Sequence, residues 1–346
     1  MMISRNSIRL PLASFSGHDM NLSWKHLIMA IIAVPGLLTG AMARADDYPT
    51  KPVRLLVGFP AGSGTDIVSR IVAGALAAKF GQPFVVENRS GANGVLAAVA
   101  LANSAPDGYT LIGTNSSSMT VTPLLYKQPQ YNTLRDFTPI APVLFGHYIV
   151  TINPANPRTA SVATLNDLIA LAKAKPGTLI YGVANTGSFA HISTELLSIR
   201  AGISMTHVPF RATIEAQTAL IRGDLDLHLD VPSCIAQIKA GKLKALAVTM
   251  PMRWSELPDV PTVAESYPGY DASFWWGFLT RAGTPDNVVQ ALNREIVAAT
   301  NQPAFRKQLE LQGAIMTMTQ QAFAAKVGAE IAQNAEVIRR ANIKIE

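Results

Sequence analysis

Residues 53–80 read VRLLVGFPAGSGTDIVSRIVAGALAAKF. Val53 to Phe59 is apolar apart from Arg54 and Gly58, the pattern of a parallel strand covered on both faces. Pro60, Gly62 and Gly64 break that pattern. Ser63 or Thr65 can cap the helix that follows, and Asp66 falls in its first turn, where negative charge is favourable. Ile67, Val68, Ile71, Val72, Ala75 and Leu76 form one stripe at helical spacing, and Gly81 ends the helix.

A glycine-rich turn between a strand and a helix aims free N–H groups into a crevice. Those donors and the positive end of the helix dipole suit a phosphate or a carboxylate. The same turn also occurs in α/β proteins that bind nothing there. It is not a nucleotide-binding P-loop, because no Gly-Lys-Ser/Thr follows, and its glycines at 58, 62 and 64 do not space as G-x-G-x-x-G.

The N-terminal residues 1–45 read as a cleavable signal peptide. Lys25 and His26 precede the apolar run Leu27 to Leu38, and Ala43-Arg44-Ala45 fits an A-x-A cleavage site. The run is too short to span a bilayer as a mature helix. Met20 is an alternative start. The formal net charge is +6, and residues 1–45 contribute Arg5, Arg9, Lys25 and Arg44 against Asp19. The remainder is too mildly basic, and its basic residues too scattered, to argue for nucleic acid. Cys234 is the one cysteine, which excludes an intrachain disulfide and a cysteine-cluster metal site. It sits at a helix start and reads as a buried structural thiol. The six histidines include no H-x-x-x-H or H-E-x-x-H, so neither a metal nor another cofactor is indicated.

A second strand, Phe84 to Glu87, a helix from Val95 to Asn103 and a third strand, Tyr109 to Gly113, complete a β-α-β-α-β unit with a parallel sheet. The polar run Thr114 to Ser118 follows. Val143 to Ile152 reads as one long apolar strand crossing between two domains. Beyond it, Leu165–Ala174 is a helix and Thr178–Val183 a strand. Ala184-Asn185-Thr186-Gly187-Ser188 is a second glycine-bearing turn, which opens the helix Phe189–Ala201. Strands at Met205–Phe210, Leu225–Leu229 and Leu243–Thr249 alternate with helices at Ile214–Arg222 and up to Ala240. Asp271 to Thr280, with Trp275-Trp276, reads as the return crossing. Helices at Pro285–Thr300, Pro303–Gln312 and Gln320–Asn342 are expected to pack on the first domain. The expected division is 46–145 plus 274–346 as lobe 1 and 146–273 as lobe 2. Two α/β lobes with a helix-start turn on each side of a cleft describe a solute receptor.

Several motifs carry a family resemblance. Tyr48-Pro49-x-Lys51-Pro52, Phe59-Pro60-x-Gly62 with Asp66, Val86-Glu87-Asn88-Arg89 and Pro106-Asp107-Gly108-Tyr109-Thr110-Leu111 resemble the Bug family. So do His207-Val208-Pro209-Phe210-Arg211, Leu257-Pro258-Asp259-Val260-Pro261-Thr262 and Ala282-Gly283-Thr284-Pro285. These are TctC-type extracytoplasmic receptors of tripartite tricarboxylate transporters. The resemblance covers the chain after residue 45. It implies a two-lobed type II periplasmic-binding-protein (Venus-flytrap) α/β fold, with two parallel or mixed sheets flanked by helices and two crossing segments. It implies a monomer in the periplasm that binds a small carboxylic acid (di- or tricarboxylate, or aromatic) and hands it to a membrane permease, or in some relatives to a sensor kinase. Carried over, the ligand site is Phe59, Pro60, Ala61, Gly62, Asp66, Ser116 and Ser117 from lobe 1, and Asn185, Thr186, Gly187, Ser188, Arg211, Ala212 and Asp230 from lobe 2. The chain departs from the family at Ala61, Ala212 and Val231.

Simpler roles stand beside each of these. Asp66 can serve only as a helix cap, and Arg211 can pair with Asp230 or Glu215. His191 and Glu195, one helical turn apart, read as a surface pair. Trp275 and Trp276 read as hinge and core packing. The rival function is a secreted serine hydrolase using Ser63 or Ser188, but neither lies in G-x-S-x-G.

Overall fold

The computed structural model describes residues 48–310 and 313–344. The signal-peptide reading of 1–45 lies outside the described residues. Tyr48–Glu346 forms one unit, and it is built on two sheets.

The first sheet has six strands: β1 (Val53–Val57), β2 (Phe84–Asn88), β3 (Thr110–Asn115), β4 (Phe137–Gly146), β10 (Phe274–Arg281) and β11 (Ala314–Ile315), in the order β11-β4-β10-β3-β1-β2. β1 pairs parallel with β2 and β3, as the β-α-β-α-β reading requires. The sheet as a whole is mixed, because β10 runs antiparallel to both β3 and β4. The second sheet holds β5 (Ile149–Ile152), β6 (Ile180–Ala184), β7 (Thr206–Phe210), β8 (Leu227–Asp230) and β9 (Lys244–Val248), in the order β7-β6-β8-β5-β9. Here β6 is parallel to β7 and β8, and β5 is antiparallel to β8 and β9.

The opening stretch folds as its residues dictate. Val53, Leu55, Leu56 and Val57 of β1 are fully buried, and side chains of this size stabilise by about 1.5–3 kcal/mol each on burial. α1 (Gly64–Phe80) begins at Ser63, whose hydroxyl accepts the Asp66 N–H, and ends at Gly81 with a φ of 68°. That left-handed angle favours glycine. α2 (Val95–Ala102), the single turns α3 (Thr122–Leu125) and α4 (Thr133–Asp136), α5 (Leu165–Ala174), α6 (Phe189–Ala201), α7 (Thr213–Arg222), the short α8 (Ile235–Lys239) and α9 (Val263–Ser266), α10 (Asp286–Thr300), α11 (Pro303–Glu310) and α12 (Gln320–Arg340) complete the described helices.

Three expectations need correction. Val143 to Ile152 is not one strand: β4 ends at Gly146, β5 begins at Ile149, and His147-Tyr148 carries the chain from one sheet to the other. The run Thr114–Ser118 is not a loop throughout, since β3 includes Thr114 and Asn115 and a wide π-helical turn starts at Ser117. Trp275 and Trp276, read as hinge and core packing, do pack on cores, but from different faces of one strand. Trp275 is fully buried and donates its indole N–H to Glu330 at 2.8 Å, whereas Trp276 points to the opposite face of the strand. The C-terminal helices do not all keep to the first sheet. α12 packs on β4 and also on α6, and its Val337 joins the core of the second sheet. A smaller reading also changes: His191 is buried, not on the surface.

Close backbone approach explains one glycine. A Cβ on Gly58, just past β1, would meet the Gly94 Cα at 2.5 Å, so the first turn can lie against the next only without a side chain. Gly74, in the middle of α1, has nothing within 4 Å. Gly58→Ala is therefore expected to cost about 1–3 kcal/mol in urea unfolding. Gly74→Ala is expected to leave stability unchanged or raise it by about 0.5–1 kcal/mol.

Candidate functional site

A cavity of about 1080 Å³ opens between the two sheets. Both passages of the chain from sheet to sheet border it: Gly146, His147 and Tyr148 on the way out, and Phe274 on the way back. The end of β3, the start of α6, the turn after β8 and the segment after β9 supply the remaining walls, with α11 and β11 at one edge.

One wall is polar. Asn115 Nδ2 donates to the Thr65 hydroxyl at 3.3 Å, and its Oδ1 accepts the Ser118 N–H at 3.1 Å. Ser116 Oγ accepts the Trp275 N–H at 3.3 Å, and Ser117 Oγ accepts from Asn93 Nδ2 at 3.1 Å. Each serine accepts in these bonds, so its own hydrogen remains to donate. Across the cavity stand Val231, Pro232 and Ser233.

The other wall is aromatic. Phe274 packs edge-on to Trp276 at 5.1 Å and tilted on Tyr148 at 5.0 Å. Phe189 closes the group, 6.3 Å from Phe274. His147 lies edge-on to Trp254 at 5.0 Å. Burial lowers the His147 pKa to about 4, so the imidazole is neutral at pH 7. Arg306 and Glu310, both at the edge of the cavity, are paired at 2.9 Å.

Of the residues expected from the sequence, Ser116 and Ser117 line this cavity, and the others do not. The two glycine-bearing turns stand one residue or one hydrogen bond away. Thr65 holds Asn115, and Ser188 precedes Phe189. Their amides are partly spoken for. Gly62 N–H is bound by Asp66 at 2.9 Å, and Gly187 N–H by His191 Nδ1 at 3.0 Å. Phe59 packs near Gly94, and Asn88 Nδ2 donates to its carbonyl at 3.0 Å. Pro60 and Ala61 are exposed at the tip of the turn. Asn185 takes a φ of 68° and donates its N–H to the Phe210 carbonyl.

Asp66 is buried, and burial alone would raise its pKa. The hydrogen bonds from Arg70, Gly62 and Asn88 outweigh burial and hold the carboxyl below its ordinary value. Asp230 is wholly buried, with Gln217 Nε2 at 2.8 Å and the Val231 N–H at 2.8 Å; burial raises its pKa. Arg211 makes no salt bridge with Asp230 or Glu215 among the described residues. It is exposed, and only its backbone N–H reaches Glu215. Ala212 is the N-cap of α7. Thr186 borders a second, polar hollow of about 520 Å³ beside His191, Glu195 and His207. His191 and His207 stack there at 4.4 Å, and Tyr181 donates to Glu195 at 2.5 Å. His191 and Glu195 are therefore interior groups of this hollow. Cys234 is buried, and its thiol is pushed up to about 12 by burial.

The aromatic residues and His147 were not expected as site residues. Trp276 was readable only from strand alternation beside a buried Trp275, and His147 only as the polar break in an apolar run.

Residues 68–343 match the family described as tripartite tricarboxylate transporter family receptor, TctC. Protein BugT of Bordetella pertussis is 33% identical over 92% of this chain and 98% of its own. Among solved structures, R. palustris Rpa4515 with adipate is 33% identical, covering 86% of this chain and 99% of its own, with a TM-score of 0.68. MatC from Rhodopseudomonas palustris, with bound malate, is 29% identical over 84% of this chain and 100% of its own, with a TM-score of 0.64.

The Asp66 network gives a measurable sign. Its carboxyl is depressed in the folded state, so its contribution is complete above the ordinary value of 3.8 and is lost as pH falls toward the folded value. Asp66→Asn should cost about 1–3 kcal/mol at pH 7, because Gly62 and Arg70 lose a charged acceptor. The gap to the parent in urea unfolding should narrow below about pH 4.

Proposed function

This chain belongs to the TctC family of tripartite tricarboxylate transporter receptors, and we propose that it captures a small carboxylic acid in the cavity between its sheets and delivers it to a tripartite-type membrane permease. The family consists of periplasmic binding proteins, not enzymes. No helix among the described residues is long and apolar enough to cross a membrane. On this reading the chain is exported by residues 1–45 and acts in the periplasm as a monomer.

The observation that carries the reading is the polar wall at Asn115, Ser116 and Ser117. It offers two unspent hydroxyl hydrogens in a cavity shared by both sheets. Relatives hold dicarboxylates, adipate in one and malate in the other. The two sheets are the centres of two lobes, 46–145 with 274–346 and 146–273, and the chain hinges at His147-Tyr148 and before Phe274. Closure brings Phe189 and Val231 toward the serines and excludes water. The turns at Phe59–Gly62 and Asn185–Ser188, with Asp66, Arg211, Ala212 and Asp230, then frame the ligand. N–H groups in the first turns of α1 and α6 that lack intrahelical acceptors add to the attraction for an anion.

Thermal unfolding of the purified protein against mono-, di-, tricarboxylic and aromatic acids tests this. A true ligand at a hundred times its dissociation constant adds about 2.7 kcal/mol. Ser233 is exposed and lines the cavity. Ser233→Trp should abolish that gain while leaving the ligand-free unfolding midpoint within about 1 kcal/mol of the parent. Turnover of an ester, with no stabilisation by any free acid, would overturn the receptor reading.

A further inference from the structure

The polar hollow of about 520 Å³ beside α6 shares no lining residue with the cavity between the sheets. Its most buried polar group is His191, 4% exposed. Gly187 donates its N–H to His191 Nδ1 at 3.0 Å. Nδ1 is therefore the acceptor, and the neutral ring carries its hydrogen on Nε2. Burial and the adjacent His207 lower the ring's pKa to about 4, so it is neutral at pH 7. Nε2 has no hydrogen-bond partner among the described residues. It is not sealed off, as the unpaired Nε2 atoms of His147 and His228 are, and opens on the hollow. One helical turn on, Tyr181 donates to Glu195 Oε1 at 2.5 Å, and burial raises the phenol's pKa, so it stays the donor. Oε2 is left as an acceptor. His207 stacks on His191 at 4.4 Å, and its own Nε2 lies 3.3 Å from Thr186 Oγ1, which fixes the pair of rings. Arg340, at the end of α12, and Lys344 complete the hollow; both are exposed, and neither makes a salt bridge among the described residues.

Two cations and a fixed N–H donor call for an anion. The one carboxylate among them admits an anion only if it brings a proton, because two bare anions at that distance repel. Inorganic phosphate keeps at least one P–OH at pH 7. Sulfate keeps none, and a phosphomonoester, with a second pKa of about 6, has mostly lost its own. We propose that this hollow is a binding site for inorganic phosphate, with His191 Nε2–H, Arg340 and Lys344 donating to its oxygens and Glu195 Oε2 accepting its P–OH. The hollow holds the ion together with first-shell water. Glu195 is the specificity-determining residue: it gains a hydrogen bond from phosphate and repels sulfate. No residue of the cavity between the sheets takes part, so the site is independent of the receptor reading.

The test is calorimetric titration of the purified protein with phosphate, sulfate and methyl phosphate, at pH 7 and constant ionic strength. Phosphate should bind at least tenfold more tightly than either of the others. In proton spectra of the imidazole rings, the His191 and His207 signals should shift as phosphate is added, while those of His147 and His228 stay in place. Glu195→Gln still accepts the Tyr181 hydroxyl and offers an N–H at its other atom, so it should narrow the gap between phosphate and sulfate to less than threefold. Arg340→Gln combined with Lys344→Gln, both at exposed positions, should weaken phosphate binding at least tenfold and leave the urea midpoint unchanged. Equal affinity of the parent for sulfate and phosphate, or no phosphate binding at millimolar concentration, would overturn the proposal. So would phosphate binding that leaves the His191 and His207 signals unmoved, that the double variant retains in full, or whose preference over sulfate Glu195→Gln leaves intact. The comparison of phosphate with sulfate and the ring spectra need no variant, so they decide the matter even where a substitution disturbs folding.

Discussion

Strand β10 is the constraint on which the rest depends. It enters the first sheet from the second, runs antiparallel between β3 and β4, and is bonded on both sides. A strand so placed has no freedom of register, because a slip of one residue would turn every side chain to the wrong face. Trp275 is therefore fixed in the core, with its indole N–H on Glu330 and its ring edge-on to Phe323 at 4.9 Å. Phe274 and Trp276, on the other face, have nowhere to go but the cavity. The same strand brings the Trp275 N–H to Ser116 Oγ, which fixes one of the two serines that line the cavity. One rigid element thus sets both the aromatic wall and part of the polar one.

The two helix-start turns obey a different economy. Each begins a helix whose first N–H groups lack intrahelical acceptors, and each has recruited a side chain one turn along to bind a glycine N–H: Asp66 for Gly62 and His191 for Gly187. The turns are thereby rigid before any ligand arrives. Rigid donors lose less entropy on binding than mobile ones. A helix start held by its own side chain supports a neighbouring residue of the cavity lining, Asn115 in one case and Phe189 in the other.

Most of the fold was legible in the sequence. α1 with its Ser63 and Gly81 ends, the parallel order of β1 to β3, and α5, α6 and α7 all follow from capping residues and apolar spacing, which act over a few residues. What was not legible depends on partners distant in the chain. The apolar run 143–152 carries no period that marks a change of sheet; the change shows only once β4 pairs with β10 and β5 with β8 and β9. β11 has two residues and exists only because β4 offers it an edge. Of the candidate residues, Ser116 and Ser117, which line the cavity, were legible because a short polar run after a strand is a local signal. Trp276, Phe274 and His147 were not, since an aromatic or a lone histidine is ordinary core material unless the opposite wall is known. Arg211 was expected to pair with a carboxylate, yet Gln217 and the Val231 amide already satisfy Asp230.

Among the described residues no buried cation lines the cavity, which bears on what the proposed receptor role demands twice. It has to hold an anion firmly enough to close on it, and then give it up. A desolvated guanidinium facing a carboxylate would leave an uncompensated charge behind on release, at a cost of several kcal/mol. Hydroxyl hydrogens return to water or to an empty cavity at far smaller cost. Specificity can then come from shape and from one hydrogen bond, since a site that leaves a polar group unpaired with the wrong ligand discriminates as well as one that attracts the right one. A wall of fixed aromatic rings facing a wall of serine hydroxyls is an arrangement that permits such discrimination without a trapped charge.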